Sequence, residues 1–370
     1  MLKNTSNFRI NWVALIAGIM TTLFAHSALA SESKLDLAWN HYLSTLDGVK
    51  LQPGCYPKRV APPEGIRHQG TVILLHGYSA CPQQYFAWAD ILARKGFEVL
   101  MPVLPGHGHQ QVLPGSDDYF ELPNLGNWNE YDQFADQINT LAKAATGIRV
   151  IGGLSVGAAV AVDATNKEPE LYDRQIIISP YLESSNHFSI PNIPIHWAPV
   201  KEILDLEVST SIDQTQMISW GAGCLDEIRR GRQGICQFEL GNIGAITKFG
   251  NSVLKATHPA SHTETQVVFV EDDPTADNGD QIALIHNLGN VPNISACTLP
   301  KGVNHSAISR FDAPDQDKWW IPGLLQSATE FVVNGERMPL AGPSILKSFQ
   351  QCDVGCTKED AAQFNCSLAN

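Results

Sequence analysis

The stretch Arg149-Val150-Ile151-Gly152-Gly153-Leu154-Ser155-Val156-Gly157-Ala158-Ala159-Val160-Ala161-Val162-Asp163-Ala164-Thr165 carries the strongest pattern in the chain. It opens on a β-branched run, passes through Gly-x-Ser-x-Gly, and closes on small residues that suit a helix. Strand, sharp turn and helix in that order are the setting in which a serine is held out from a sheet edge as a nucleophile. The turn strains the serine backbone so that its hydroxyl projects. Residues two before and two after it must be tiny, because strand and helix backbones nearly touch there. Gly153 and Gly157 meet that demand, and Ala158 and Ala159 extend the clearance into the helix. Alone, Gly-x-Ser-x-Gly is more often a glycine-rich turn. Its place between this strand and this helix selects the catalytic reading, with Ser155 as nucleophile.

Outward from this turn, short apolar runs alternate with amphipathic stretches. Strands are predicted over Thr71–Leu75, Glu98–Val103, Arg149–Gly152, Gln175–Ile178, Gln266–Val270 and Ile294–Leu299. They are near-continuous apolar runs, as strands buried on both faces should be. Helices are predicted over Gln83–Lys95, Tyr131–Ala145, Val156–Asn166 and Gly279–Leu288. The alternation implies an α/β fold, a mostly parallel central sheet with helices on both faces. One interval breaks the rhythm: about 181–265 separates two strands that a single helix would normally join. A structureless loop of that length is improbable in a compact domain. We read an inserted cap, holding Trp197, Trp220 and the pair Cys224/Cys236, plus the helix leading into the next strand. Ser31–Gly70 is expected to carry edge strands.

A nucleophilic serine needs a base. In a chain of this pattern the order runs serine, acid, histidine. Of the 12 histidines only His286 and His305 lie beyond the later acidic candidates. His286 sits within an amphipathic helical run and reads as a surface or packing residue. His305 sits in a loop just after the last strand, Lys301-Gly302-Val303-Asn304-His305-Ser306, where α/β sheets place ligands. It is the expected base. The acid belongs after the strand QVVFV, within Glu271-Asp272-Asp273-Pro274-Thr275-Ala276-Asp277. Position alone does not separate Asp272 from Asp273, while Asp277 reads as a helix N-cap. His76-Gly77-Tyr78 follows the strand TVILL and can present a backbone N–H to a developing oxyanion, paired with that of Val156. His76 precedes the serine in the chain and is read as shaping this loop.

Two features bear on compartment. Lys3 and Arg9 precede an apolar run over Trp12–Phe24, and Ala28-Leu29-Ala30 supplies a small-x-small cleavage pattern. Residues 1–30 are therefore expected to be a signal peptide, leaving a 31–345 catalytic domain and a 346–370 tail bearing cysteines, soluble and exported to a periplasmic or extracellular space. Loss of Lys3 and Arg9 takes the net charge from −13 to −15. That acidity argues against nucleic acid or anionic lipid as the main partner. All 8 cysteines follow the cleavage point, and an even number in an exported chain reads as disulfides. Cys352-x-x-x-Cys356 lacks a following histidine or a second zinc-type pair, so a metal site is not expected.

Leu75-His76-Gly77-Tyr78-Ser79, Leu104-Pro105-Gly106-His107-Gly108, an isolated Trp128 and the elbow Gly153–Gly157 together resemble bacterial carboxylesterases and monoacylglycerol lipases of the α/β-hydrolase superfamily. The resemblance runs from about Thr71 to Ser306, with the cap poorly matched and the tail outside it. It implies an acid at the D-x-x-small position, Asp273 before Pro274-Thr275-Ala276, and oxyanion donors at Tyr78 and Val156. Val156 stands where the family often has Met or Gln, and Ala158 replaces a frequent second glycine. Only a backbone N–H and small volume matter at those positions. The implied activity is cleavage of a small-molecule or lipid ester through an acyl-enzyme, with no metal or organic cofactor. An amidase, peptidase or thioesterase would share the same residues, and a non-catalytic binding module would be expected to lack one of them.

Overall fold

The computed structural model describes residues 33–109, 128–185, 217–219, 222–288, 293–299, 303–309 and 320–336. The sheet strands in chain order are β1 (Lys58–Val60), β2 (Gly70–Leu75), β3 (Phe97–Met101), β4 (Ile148–Leu154), β5 (Arg174–Ile178), β8 (Glu264–Val270) and β9 (Ile294–Leu299). They form a seven-stranded sheet in the order β1-β3-β2-β4-β5-β8-β9. β1 runs antiparallel to β3, and the remaining pairs are parallel. Two further strands, β6 (Met217–Ser219) and β7 (Gln237–Glu239), pair antiparallel as a separate ribbon.

The apolar runs are continuous because each strand is covered twice. On one face Ile73, Leu75, Ile151, Ile177, Val267 and Phe269 pack under α1 (Lys34–Ser44), α3 (Trp128–Ala144), α4 (Val156–Lys167), α6 (Leu240–Lys255) and α7 (Asn278–Asn287). On the other, Val72, Leu74, Val150, Ile176, Val268 and Val270 pack under α2 (Phe86–Arg94) and α8 (Ile321–Asn334). Burying one such side chain stabilises by roughly 1.5–3 kcal/mol. The central strands therefore carry the core. The edge strand β1 is half-buried throughout and contributes mainly its ladder. β3 stops at Met101 rather than Val103 because Pro102 has no N–H for the ladder.

The N-terminal flank departs from expectation. It supplies one short edge strand, β1, preceded by the helix α1. Ser33 accepts from Asp36 N–H and Asp36 returns a bond to Ser33 N–H, a capping box. Leu35, Trp39 and Tyr42 recur at helical spacing and are all buried. Tyr42 Oη ties this helix to the backbone of Val103.

In the interval 181–265 the described residues hold β6, α5 (Ala222–Arg229), β7 and α6. Disulfides join Cys55 to Cys81 and Cys224 to Cys236. The expected signal peptide, the tail with Cys352, Cys356 and Cys366, and both Trp197 and Trp220 lie outside the described residues. Among the described residues no helix is long and apolar enough to cross a membrane.

The strand order places the site. From β2 the chain moves outward to β3, then crosses back past β2 to β4 and proceeds the other way. The carboxyl ends of β2 and β4 thus flank a topological switch point, where α/β sheets leave a crevice. The loop after Leu75 and the turn at Ser155 open into it side by side, since Leu75 pairs with Gly153.

Candidate active site

Ser155 follows β4 directly, with φ 58° and ψ −121°, a conformation that L side chains rarely adopt and that costs about 1–3 kcal/mol. Its neighbours hold it there. Ser155 N–H donates to Ile178 O (2.9 Å), and Ser155 O accepts from Ala158, Ala159 and Tyr181 N–H at 3.0–3.1 Å. The need for glycine on either side is steric. A Cβ on Gly153 would lie 2.2 Å from Gly157 O, and one on Gly157 would lie 2.2 Å from Leu75 O and 2.4 Å from His76 O. No methyl group fits either gap.

Asp273 and His305 meet across the ends of β8 and β9. His305 Nδ1 lies 2.7 Å from Asp273 Oδ2, with the carboxylate fully buried. The other oxygen, Oδ1, accepts from Thr275 N–H (2.8 Å) and Ala276 N–H (3.2 Å), so Asp273 closes its own turn. With Nδ1–H donating to a carboxylate, the lone pair sits on Nε2. That atom is buried and has no hydrogen-bond partner among the described residues. Asp272 is different in kind: it has φ 50° and is exposed. Asp277 caps α7, accepting from Asp280 N–H, and His286 is exposed in the last turn of the same helix.

Ser155 and His305 line one cavity of about 310 Å³. Its walls include Tyr78, Tyr181, Ile243 and Ile246, and also Glu227 and Arg232, which no motif marks. These last two lie on α5 and in the loop that the Cys224–Cys236 bridge closes. The only hint in the sequence was that cysteine bracket. The wall is thus mixed, part apolar and part ionic.

Val156 is the first residue of α4, and the leading N–H groups of a helix have no partner within it. The loop after β2 is built around His76. Leu104 N–H donates to His76 Nε2 (3.0 Å), so Nδ1 carries the hydrogen and donates to Gly77 O (2.8 Å). Gly77 N–H donates to Gln84 Oε1 (2.9 Å). The Tyr78 ring sits edge-on to His107 and Phe238.

Two of these histidines give the protein a pH dependence. Burial holds His76 well below the usual imidazole range, and the neighbouring His107 adds to the shift. Burial likewise lowers His107 to about 4. Both rings fold uncharged and are protonated on unfolding, so their stabilisation is full above pH 6.5 and is lost as pH falls below it, in the case of His107 down to about 4. Asp163, raised to about 6 by burial, acts in the opposite sense below that pH. His109 and His258, also lowered by burial, act in the same sense as His76 and His107, so the histidines outnumber the carboxyl and unfolding takes up protons as pH falls below 6.5. Melting temperature should fall measurably from pH 6.5 to 5, and His107→Gln should make that slope shallower. An unchanged slope in this variant would show that His107 is not among the titrating groups.

Residues 66–298 match the family described as serine aminopeptidase, S33, a hydrolase family. That span holds Ser155 and Asp273 and stops short of His305. Among solved structures the chain is similar to the monoacylglycerol lipase of Paleococcus ferrophilus, at 16% identity over 76% of this chain and 99% of that one, TM-score 0.53. It is also similar to a soluble variant of monoglyceride lipase from Saccharomyces cerevisiae bound to a substrate analogue, at 14% identity over 75% and 90%, TM-score 0.54. A metagenome-derived lipolytic enzyme matches at 15% identity over 76% and 99%, TM-score 0.53. No curated protein matches the chain by sequence. Identities this low speak to the fold.

Proposed function

As the chain belongs to the S33 serine aminopeptidase family of α/β hydrolases, we propose that it is a serine hydrolase of carboxylic esters that works through Ser155, His305 and Asp273. The observation that carries this reading is the buried Asp273–His305 hydrogen bond, with His305 Nε2, unpartnered among the described residues, on the same cavity as the strained Ser155. In the proposed reaction Ser155 Oγ attacks the ester carbonyl while His305 Nε2 takes its proton. Asp273 keeps the proton on Nδ1 and stabilises the imidazolium. The backbone N–H groups of Tyr78 and Val156 bind the oxyanion, each worth on the order of 10²–10³ in kcat. His305 then protonates the leaving alcohol, and water repeats the sequence on the acyl-enzyme. Every proton is carried by a side chain of this chain, so no metal or organic cofactor enters a step.

Esters are preferred over peptides as the substrate because the solved structures that the chain resembles are lipases and lipolytic enzymes by name. The family description favours a second reading, removal of an amino-terminal residue from a peptide. The two readings separate on one panel: p-nitrophenyl esters of graded acyl length against aminoacyl p-nitroanilides. Ester kcat/KM is expected to exceed anilide kcat/KM by at least about tenfold, some 1.4 kcal/mol of barrier. The reverse ranking would make the chain an aminopeptidase. We further read the interval 181–265 as a cap, since Tyr181, Glu227, Arg232, Ile243 and Ile246 all reach the cavity from it. Export is the proposed setting, supported by the leader pattern over 1–30 and two disulfides, which persist in oxidising compartments.

A further inference from the structure

We propose that Arg232 is a positioning residue for the oxyanion N–H of Tyr78, brought to that loop by the segment that the Cys224–Cys236 bridge closes. The inference rests on the reading of Tyr78 and Val156 as oxyanion donors given above. It begins with one peptide plane. The Tyr78 N–H shares a planar trans peptide with Gly77 C=O and so points opposite to it. Fixing that carbonyl fixes the donor. Gly77 O accepts from His76 Nδ1 (2.8 Å) and from Ala80 N–H (3.2 Å).

The second of these bonds closes a four-residue turn, Gly77 to Ala80, whose third residue is Ser79. Ser79 has φ 58°. Glycine is usual where a turn needs positive φ at that position, because a side chain there is strained. Something outside the turn must therefore hold Ser79. Its carbonyl accepts from Ile235 N–H (2.9 Å) and from Arg232 Nη2 (3.2 Å), and Nη2 also lies 3.3 Å from Ser79 Oγ. Both donors come from more than 150 residues away in the chain.

The donor segment is itself braced. Arg232 is buried, with Nε 3.5 Å from Glu227 Oε2 and its own N–H on Glu227 O. Gly234 exchanges two 3.0 Å bonds with the Gln52 side chain. A Cβ on Gly234 would lie 2.2 Å from Ser79 O, so the backbones are in direct contact there. The causal order is thus guanidinium, Ser79 carbonyl, turn closure, Gly77 carbonyl, Tyr78 N–H.

Arg232 also lines the cavity, so a substrate-binding role is the competing account, and the two differ in what they do to KM. The test uses the full chain with Arg232→Lys and Arg232→Ala, a p-nitrophenyl ester and its thiono analogue. Arg232→Lys keeps charge but loses the planar fork. It is expected to lower kcat about tenfold, a fraction of the loss seen when a donor is deleted outright, with KM changed by less than about twofold. The rate ratio of ester to thionoester should shrink by a similar factor, because sulfur is a poor acceptor for the misaimed N–H. Guanidinium ion should restore part of kcat in Arg232→Ala. A raised KM with unchanged kcat would assign Arg232 to substrate binding and overturn the proposal. So would a lower kcat with the ester-to-thionoester ratio of the wild type, and so would failure of both variants to fold. A wild-type protein without Ser155-dependent turnover would instead sink the underlying reading.

Discussion

Ser155→Ala is expected to abolish both ester hydrolysis and labelling by an alkyl fluorophosphonate, while leaving the fold intact. Removing the nucleophile from a serine triad lowers kcat by on the order of 10⁴–10⁶, and what remains comes from binding and the oxyanion donors. The fold should survive for a local reason. The Ser155 side chain makes no capping hydrogen bond to α4, so alanine leaves no donor unpaired. Alanine also pays the same backbone strain at φ 58° as serine does. The melting temperature should shift by no more than ~2 °C, which is under about 1 kcal/mol for a domain of this size. Intact-mass measurement should find a single phosphonyl adduct on wild type and none on the variant. Labelling that persists in Ser155→Ala would remove the central claim and revive a binding protein built on a hydrolase scaffold.

What could be read from sequence divides along a physical line. Local pattern was sufficient wherever one segment's own chemistry dictates its structure. The central strands announce themselves because two-sided burial removes polar residues from them. The elbow announces itself because Gly153 and Gly157 have no room for a Cβ. Asp277 was legible as a cap by the same logic. Helix α1 was not read, although Ser33 and Asp36 form a capping box and Leu35, Trp39 and Tyr42 mark a buried face. That signal is short and lies near the apolar run Trp12–Phe24, which dominates the neighbourhood. Contacts between distant segments leave little trace in the sequence. Nothing in the run from Gly231 to Ile235 indicates that it docks on Ser79 and Gln52. Glu227 and Arg232 reach the cavity only because the chain folds back there. The two described cysteine pairings divide along the same line: Cys224 and Cys236 are near in sequence and legible as a pair, whereas Cys55 and Cys81 are joined by a fold that brings β1 and β2 flanks together.

Asp273→Asn and Asp272→Asn, adjacent and chemically identical changes, are expected to differ in activity by about three orders of magnitude. The reason lies in which atoms each carboxylate holds. Asp273 Oδ1 accepts from Thr275 and Ala276 N–H, and Oδ2 accepts from His305 Nδ1. An asparagine at this position would keep its oxygen on the two backbone donors, because the reverse orientation would set its NH2 against two N–H groups. Its NH2 would then face His305 Nδ1. The imidazole would have to accept there and carry its proton on Nε2, which leaves no lone pair to take the proton of Ser155. The loss in kcat should approach 10⁴, the effect of presenting the wrong tautomer, with KM little changed and the turn still closed. Asp272 stands outside this chain of bonds. It is exposed and left-handed, with φ 50°, a conformation that asparagine tolerates at least as well as aspartate. Its variant should therefore keep the fold and lose less than about tenfold in kcat/KM, under 1.4 kcal/mol. Kinetics of both purified variants on one ester decide the matter. A larger loss for Asp272→Asn would transfer the acid's role to Asp272 and leave the Asp273–His305 bond as scaffolding.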